Sequence, residues 1–289
     1  MLKGTKNYLS LIKFSHTIFA MPFALIGFFL AIHKGYAMPL NGMLMKLALV
    51  LACMVFARSA AMAFNRYLDR AIDAKNPRTA IREIPAGIIS SNEALMFTIV
   101  MALLFVLTTL FINRVCFFLS PIALFIILFY SYTKRFTPLC HLVLGLGLSL
   151  APIGAWLAVS GKFAFLPLIL SIVVICWVSG FDIIYSLQDE EFDRKNNLRS
   201  IPAWLGKSCA LWVSRGLHFI GFSGVIVFGW LGNMEWLYWI GALVFFGMLI
   251  YQHSIVNPNN LKRVNIAFMT ANGIASFIFA VFTIADLYL

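Results

Sequence analysis

The chain has 289 residues, of which 62% are hydrophobic and only 11% charged, and its mean hydropathy is +0.91. This composition excludes a soluble globular protein of this length and indicates a polytopic membrane protein. The formal net charge is +11, but the basic residues alternate with long apolar segments, so nucleic-acid binding does not explain it.

Nine apolar segments of about 20 residues each predict nine transmembrane helices. In chain order they are 14–33, 43–64, 93–112, 115–133, 140–159, 164–186, 210–231, 235–254 and 265–287. We therefore predict an all-α membrane protein, with one domain over residues 1–289 and a bundle of nine helices around a central cavity. The second and sixth helices are expected to continue past the hydrocarbon into two acidic segments.

The basic residues predict the orientation of the bundle. Most of the 22 Lys and Arg residues lie on the same side as the N-terminus when nine spans are assumed. Because Lys and Arg accumulate in cytoplasmic loops, the N-terminus and the mouth of the cavity are expected to be cytoplasmic, with the C-terminus outside. The expected location is the cell inner membrane, which the chain crosses several times.

The acidic residues are concentrated in two segments, 65–73 and 182–193, although the chain has only 11 Asp and Glu. On a helix, residues four apart lie on one face and residues seven apart drift by only about 20°. The first segment therefore forms a stripe of Asn65, Asp69 and Asp73. The second forms a stripe of Asp182, Asp189 and Asp193, with Tyr185 near it.

The two stripes predict a metal and diphosphate site if the second and sixth helices face each other. The groups that would converge are Asn65, Asp69, Asp73, Asp189 and Asp193. Mg²⁺ prefers carboxylate and phosphate oxygens, so this set suits one or two Mg²⁺ ions that bridge a diphosphate. Arg binds phosphate bidentately. The basic residues adjacent to the stripes are Arg78, Arg82, Lys134, Arg135, Arg194 and Arg199.

Several other polar residues have simpler interpretations. Asp182 lies inside a span, where an ionisable group is expensive and usually functional. By contrast, acids at helix ends are usually caps or solvated charges, and basic loop residues usually reflect topology. We expect these acids to be caps or solvated charges: Glu83, Glu93, Glu190, Glu191, Glu235 and Asp286. We expect these basic residues to reflect topology: Arg66, Arg70, Lys75 and Lys195. His16 and His141 are expected to be packed or interfacial, and the five Cys to be small buried hydrophobic residues.

The motifs around these segments resemble the UbiA superfamily of intramembrane aromatic prenyltransferases. The resemblance rests on N-x-x-x-D-x-x-x-D at Asn65 and D-x-x-x-D at Asp189, within Y-S-L-Q-D-E-E-F-D. It extends to R-S-A-A-M-A-F-N from Arg58, N-P-R-T, R-E-I-P-A-G, Y-S-Y-T-K-R-F-T and R-S-I-P. R-E-I-P-A-G departs from the more usual R-P-L-P-S-G. The chain is most similar to the 4-hydroxybenzoate polyprenyltransferase branch, including related enzymes of the futalosine route to menaquinone.

The resemblance implies a Mg²⁺-dependent enzyme of quinone biosynthesis that transfers a polyprenyl group from polyprenyl diphosphate to an aromatic acid. Asn65, Asp69, Asp73, Asp189 and Asp193 would hold Mg²⁺. The groups implied to bind substrate or neutralise diphosphate are Asn65, Arg78, Arg82, Tyr130, Lys134, Tyr185 and Arg199. Asp182 corresponds to an aspartate that deprotonates or orients the phenol, and the catalytic set is completed by Asp69, Asp189 and Arg58. Arg58 would position aspartate or diphosphate oxygens, or pair with the acceptor carboxylate.

Alternatives remain at this point. The acceptor is 4-hydroxybenzoate or 1,4-dihydroxy-6-naphthoate, because residue spacing does not distinguish one ring from two. Haem, chlorophyll and phytyl-type transferases share the fold. A CDP-alcohol phosphotransferase would need a D-G pair that this chain lacks. A lipid or divalent-ion transporter would place its acids near the midplane, whereas most of these acids lie at one boundary.

Overall fold

The structure is a computed structural model, and it describes residues 7–8, 10–12 and 20–289. Its α-helices are α1 (Met21–His33), α2 (Leu40–Asp73), α3 (Ser91–Leu110), α4 (Arg114–Thr133), α5 (Cys140–Ser160), α6 (Phe165–Ser186), α7 (Glu190–Lys195), α8 (Ile201–Gly232), α9 (Trp236–Ile255) and α10 (Asn272–Asp286). Among these residues, the only β-type pairing is an isolated bridge between Asn257 and Asn260. The predicted all-α class is confirmed.

The helices have the lengths and compositions of membrane spans. Over the described residues, eight helical segments are long and apolar enough to cross a membrane, and α1 is a shorter apolar helix. Each predicted span overlaps one of these helices, although residues 14–19 of the first span lie outside the described residues. Numerous apolar side chains on α3 and α4 are exposed, for example Leu103, Phe118 and Phe125. In a membrane protein such side chains contact lipid.

Helix α6 lies at the centre of the bundle. It packs chiefly between α5 and α8, and most of its side chains are buried. The approach of α5 is close because Gly145 has no side chain. A Cβ atom there would lie 2.6 Å from the carbonyl oxygen of Ile175 and 2.5 Å from Oγ of Ser179. Small residues permit this kind of backbone contact between membrane helices.

Helix α2 continues beyond the hydrocarbon, as predicted. Its 34 residues span about 51 Å at 1.5 Å per residue, well over the ~30 Å of a bilayer core. Asn65, Asp69 and Asp73 occupy its last three turns without a helix break. The first acidic stripe therefore exists as the spacing predicts.

The second acidic stripe is not one continuous α-helix, and this part of the prediction is wrong. Helix α6 ends at Ser186, a 3₁₀ turn covers Leu187–Asp189, and α7 begins at Glu190. The side-chain amide of Gln188 donates to the carbonyl of Tyr185 at 3.1 Å. In an α-helix that carbonyl would accept from the backbone N–H of Asp189, so the side chain competes with the regular ladder.

Candidate active site

A cavity of about 2020 Å³, including the space open to solvent, lies where α2 and α6 end. Both acidic segments line it. Of the predicted site residues, those in its wall are Arg58, Asn65, Asp69, Asp73, Arg78, Arg82, Tyr130, Lys134, Asp182, Tyr185, Asp189 and Asp193. The loop after α2 closes one side, and the end of α4 and the start of α5 close another. Residues far apart in the chain therefore meet in one polar space.

Asp69 is the most enclosed carboxylate of the first stripe, with only 1% of its side chain exposed. Lys134 Nζ donates to its Oδ2 at 2.5 Å, and Arg135 Nη2 donates to its Oδ1 at 2.9 Å. The amide of Asn65 donates to the same carboxylate at 3.3 Å. A buried carboxylate needs such partners because desolvation is costly. The end of α4 thus supplies the cations for α2.

Asp73 pairs with Arg82, a residue that is close to it in the sequence. Arg82 Nη1 donates to both of its carboxylate oxygens, at 2.7 and 2.8 Å. The loop between α2 and α3 therefore folds back over the end of α2, and the backbone carbonyl of Asp73 also accepts from the Thr79 hydroxyl at 3.2 Å.

Asp189 joins the same loop to the second acidic segment. Arg78 Nε donates to Asp189 Oδ1 at 2.9 Å, and its Nη2 donates to Oδ2. Arg78 Nη1 also donates to the hydroxyl of Tyr185 at 3.1 Å. Burial lowers the pKa of Arg78, but the hydrogen bonds and charge of Asp189, together with Tyr185, outweigh it and hold the pKa above its ordinary value. The Asn76 amide completes the site with a bond to Asp189 Oδ1 at 3.1 Å.

The remaining two acids have partners of a different kind. Asp193 accepts from the Ser200 hydroxyl at 2.9 Å. Asp182 lies inside α6, one turn before its end at Ser186. Its Oδ2 lies 2.7 Å from Nδ1 of His141. Asp182 therefore has a histidine partner in place of the Arg and Lys side chains that hold Asp69, Asp73 and Asp189.

A second cavity, of about 1230 Å³, lies deeper in the bundle between α2, α3, α4 and α5. Its wall is almost entirely apolar and rich in small residues. Arg58, Met62, Tyr130, Leu144 and Leu148 line both cavities, so the two spaces adjoin at these side chains. Nε of Arg58 is buried without a hydrogen-bond partner among the described residues. Arg58 thus offers an unpaired donor at the junction.

Arg199 does not join the other predicted substrate-binding residues in the cavity wall. It is exposed, and its Nη1 donates to the backbone carbonyl of Phe136 at 2.9 Å. Arg194 is also directed away, toward Glu190 at 2.7 Å. Both side chains stabilise the α7 region and its contact with the loop after α4.

Some residues that the sequence analysis set aside belong to the site. Glu83, expected to be a solvated or capping charge, is only 7% exposed, lines the cavity and accepts from Ser10 at 2.5 Å. Arg66, assigned to topology, is 5% exposed and also lines it. Arg135 was only a basic neighbour, yet it holds Asp69. No local pattern identifies such residues, because their partners are distant in the chain.

Other expectations had mixed outcomes. Glu93 forms a capping box with Ser90, as expected. Asp286 is also a cap, but it accepts from the backbone N–H groups of Glu235 and Tyr238 at the start of another helix. All five Cys are free, but Cys209 is exposed, so its predicted burial is wrong. His16 lies outside the described residues.

The predicted Mg²⁺ ligands face one cavity but do not form a coordination shell in this arrangement. Over the part of the chain that the structure describes, no three His, Cys, Asp or Glu side chains are grouped closely enough to hold a metal ion. Asp69, Asp73 and Asp189 are each neutralised by Arg or Lys instead. The donor chemistry nevertheless fits Mg²⁺, which takes carboxylate oxygens together with phosphate oxygens. The basic partners are 21–32% exposed.

The chain resembles known proteins along most of its length. A sequence model of the UbiA prenyltransferase family matches residues 20–277. A 4-hydroxybenzoate octaprenyltransferase of Aliivibrio fischeri is 30% identical over 234 residues, which cover 81% of each chain. One from Nitrosospira multiformis is 29% identical over 226 residues, which cover 78% of each chain.

Solved structures agree with this result. The apo structure of a UbiA homologue from Aeropyrum pernix K1 has a TM-score of 0.79 and 29% identity, and the match covers 94% of this chain and 97% of that one. A UbiA homologue from Archaeoglobus fulgidus, bound to GPP and Mg²⁺, has a TM-score of 0.72. That match covers 98% of this chain and 100% of the other at 21% identity, and it shows a shared fold.

Proposed function

The chain belongs to the UbiA prenyltransferase family, and from this premise we propose that it transfers a polyprenyl group from polyprenyl diphosphate to an aromatic acid of the 4-hydroxybenzoate type. The observation that carries the proposal is the adjoining pair of cavities, one lined by paired acids and bases and the other apolar. A ligand with a diphosphate head and an isoprenoid tail has this same division. The names of the bacterial relatives support the choice of acceptor.

The diphosphate binds at the charged mouth in this proposal. Arg78, Arg82 and Lys134 are the cations that would turn from carboxylates to phosphate oxygens, with Asn65 as a further donor. Arg forms bidentate bonds to phosphate. The tail extends past Tyr130 and Arg58 into the apolar cavity, whose wall is almost entirely apolar.

A divalent cation completes the diphosphate site. The A. fulgidus homologue binds GPP and Mg²⁺ in its structure, and we extend metal use to this chain on that basis. Asn65, Asp69, Asp73, Asp189 and Asp193 would hold Mg²⁺, which supplies positive charge to stabilise the departing diphosphate. The carboxylates would be free for this role once their basic partners contact phosphate.

Asp182 acts on the acceptor. It takes the phenol proton, the C–O bond to diphosphate breaks with its electron pair on the diphosphate, and the ring carbon ortho to the phenol oxygen forms the new C–C bond. That carbon then loses its proton as the oxygen regains one. The net products are the prenylated acid, diphosphate and one proton. A positioned general base contributes about 10²- to 10⁴-fold to such a step.

The acceptor carboxylate pairs with Arg58, whose buried Nε has no other partner among the described residues. An unpaired buried charge is costly on either side, so the two groups stabilise each other. We also propose that the charged mouth faces the cytoplasm and that the protein resides in the cell inner membrane, in keeping with its Lys and Arg distribution.

The proposal is tested with purified protein in detergent or with membranes that contain it. The protein is incubated with Mg²⁺, farnesyl or octaprenyl diphosphate, and either 4-hydroxybenzoate or 1,4-dihydroxy-6-naphthoate, and prenylated product is detected by mass. We expect prenylated 4-hydroxybenzoate, and none when a chelator is present. Product from the naphthoate alone would move the enzyme to menaquinone synthesis. Diphosphate binding without product from either acid would overturn aromatic transfer and favour haem or another acceptor.

A further inference from the structure

His141 is buried at the start of α5 and lies against the carboxylate of Asp182 on α6. Its side chain is 3% exposed, its Nδ1 lies 2.7 Å from Asp182 Oδ2, and it lines the polar cavity. The backbone of His141 is also fixed against α6, because the Ser179 hydroxyl donates to the carbonyl of His141 at 3.1 Å. The close approach at Gly145 keeps the two helices together one turn further along.

The other ring nitrogen determines the tautomer. The backbone N–H of Ile201 donates to Nε2 of His141 at 3.4 Å. Ile201 is the first residue of α8, so its N–H has no partner inside that helix and needs an acceptor. A ring nitrogen that accepts carries a lone pair, and Nδ1 must then carry the hydrogen. Nδ1 of His141 is therefore the donor to Asp182, and contacts from α6 and α8 hold the ring in place.

From this geometry we infer that His141 is a positioning residue, which holds the Asp182 carboxylate in place to receive the phenol proton of the acceptor. The inference rests on the proposed function and adds to it a residue of the polar cavity that the proposed function does not use. The bond occupies Oδ2 of Asp182 and leaves Oδ1 to contact the substrate. It also links the acceptor site to the start of α8, where Ser200 holds Asp193.

An imidazole donor suits this role better than Lys or Arg. Lys or Arg beside Asp182 would compete with the phenol for the carboxylate, as Lys134 and Arg135 occupy Asp69. A single hydrogen bond from the imidazole orients the carboxylate and leaves its second oxygen available. Without this bond the carboxylate can rotate, and small misplacements of a reacting group cost up to about 100-fold in rate.

The test compares His141→Leu, His141→Asn and His141→Gln with the unaltered protein. The amide nitrogen of Asn lies near the position of Nδ1, whereas that of Gln lies near Nε2. We expect His141→Leu to lower kcat for aromatic transfer at least about tenfold, with the KM for polyprenyl diphosphate unchanged. His141→Asn should restore kcat to within about threefold, and His141→Gln should not. Thermal unfolding in detergent monitors the fold of each variant.

Several results would overturn the inference. One is a His141→Leu enzyme with kcat near that of the unaltered protein, and another is equal impairment of the Asn and Gln variants. A rise in the KM for the diphosphate without a change in kcat would also do so, because it would place His141 in donor binding. If the Leu variant does not fold, the Asn and Gln pair decides the matter. Failure of the unaltered protein to prenylate any aromatic acid is a separate result, and it counts against the proposed function.

Discussion

Asp69 and Asp189 are held by basic partners from other segments, which makes them the most informative single residues of the charged mouth. Replacement of either by Asn removes the charge with almost no change in volume. We expect Asp69→Asn and Asp189→Asn each to lower the transfer rate roughly 100-fold or more at saturating Mg²⁺, because charge stabilisation in a closed site contributes this much. Rates come from product mass per unit time.

The matched control is Glu191→Gln, since the Glu191 side chain is 77% exposed and, among the described residues, forms an ion pair with Lys207 alone, at 3.9 Å. This variant should retain the unaltered rate, because exposed ion pairs contribute little. Near-normal transfer by Asp69→Asn and Asp189→Asn would contradict the assignment of these acids to the metal and diphosphate.

Asp182 has a different expected phenotype because it lies deeper and pairs with a histidine. Asp182→Asn should abolish detectable prenylation of the aromatic acid while the affinity for polyprenyl diphosphate stays within about threefold, because a general base contributes up to about 10⁴-fold to the chemical step alone. Binding of a radiolabelled diphosphate by the purified variant measures the second quantity. Parallel loss of diphosphate binding would assign Asp182 to the metal site instead.

At the scale of elements, α5 forms part of the apolar cavity through Gly154. A Cβ atom at Gly154 would meet nothing within 4 Å, and Gly154→Leu adds side-chain volume to the wall of the cavity. We expect the variant to use geranyl diphosphate normally and to lose about tenfold or more in kcat/KM with octaprenyl diphosphate, since extra side-chain volume excludes part of a long tail. Competition between the two donors in one reaction gives the ratio.

The control for this change is Gly216→Leu. Gly216 is also free of neighbours within 4 Å, but it is exposed on α8 and lies outside both cavities. It should leave the ratio of long to short donors unchanged. A Gly154→Leu enzyme with an unaltered ratio would show that the tail follows another route.

At the scale of the whole molecule, the charged cavity lies at one end of the bundle. We predict that this end faces the cytoplasm. Lys195 is the last residue of α7 at that end, and Glu235 lies at the opposite end between α8 and α9. Each is exposed, and each is replaced by Cys in a chain whose five native Cys are changed to Ala or Ser. We expect a membrane-impermeant thiol reagent to label Glu235→Cys in intact cells and Lys195→Cys only after permeabilisation. The reverse pattern would place the mouth outside.

Local signals in the sequence predicted much of the bundle and the first half of the site. Hydropathy depends on composition over about 20 residues, so the spans follow from it directly. The stripe of Asn65, Asp69 and Asp73 follows from the 3.6-residue period, because α2 continues unbroken through it. The motif around Asp189 was equally visible in the sequence. The end of α6 before Asp189 was not, because it depends on a side-chain hydrogen bond from Gln188 that competes with the helical backbone bonds.

Only the tertiary structure decided which groups face each other. Lys134 meets Asp69 across 65 residues and Arg78 meets Asp189 across 111, and no periodic pattern encodes contacts at such separations. The same holds for His141, whose sequence context predicts a packed histidine and whose function depends on Asp182 and Ile201. The sequence by itself therefore determined the helices and the chemistry they carry. The packing of α5, α6 and α8 determined the partners, because a buried polar group must be satisfied by whichever element lies against it.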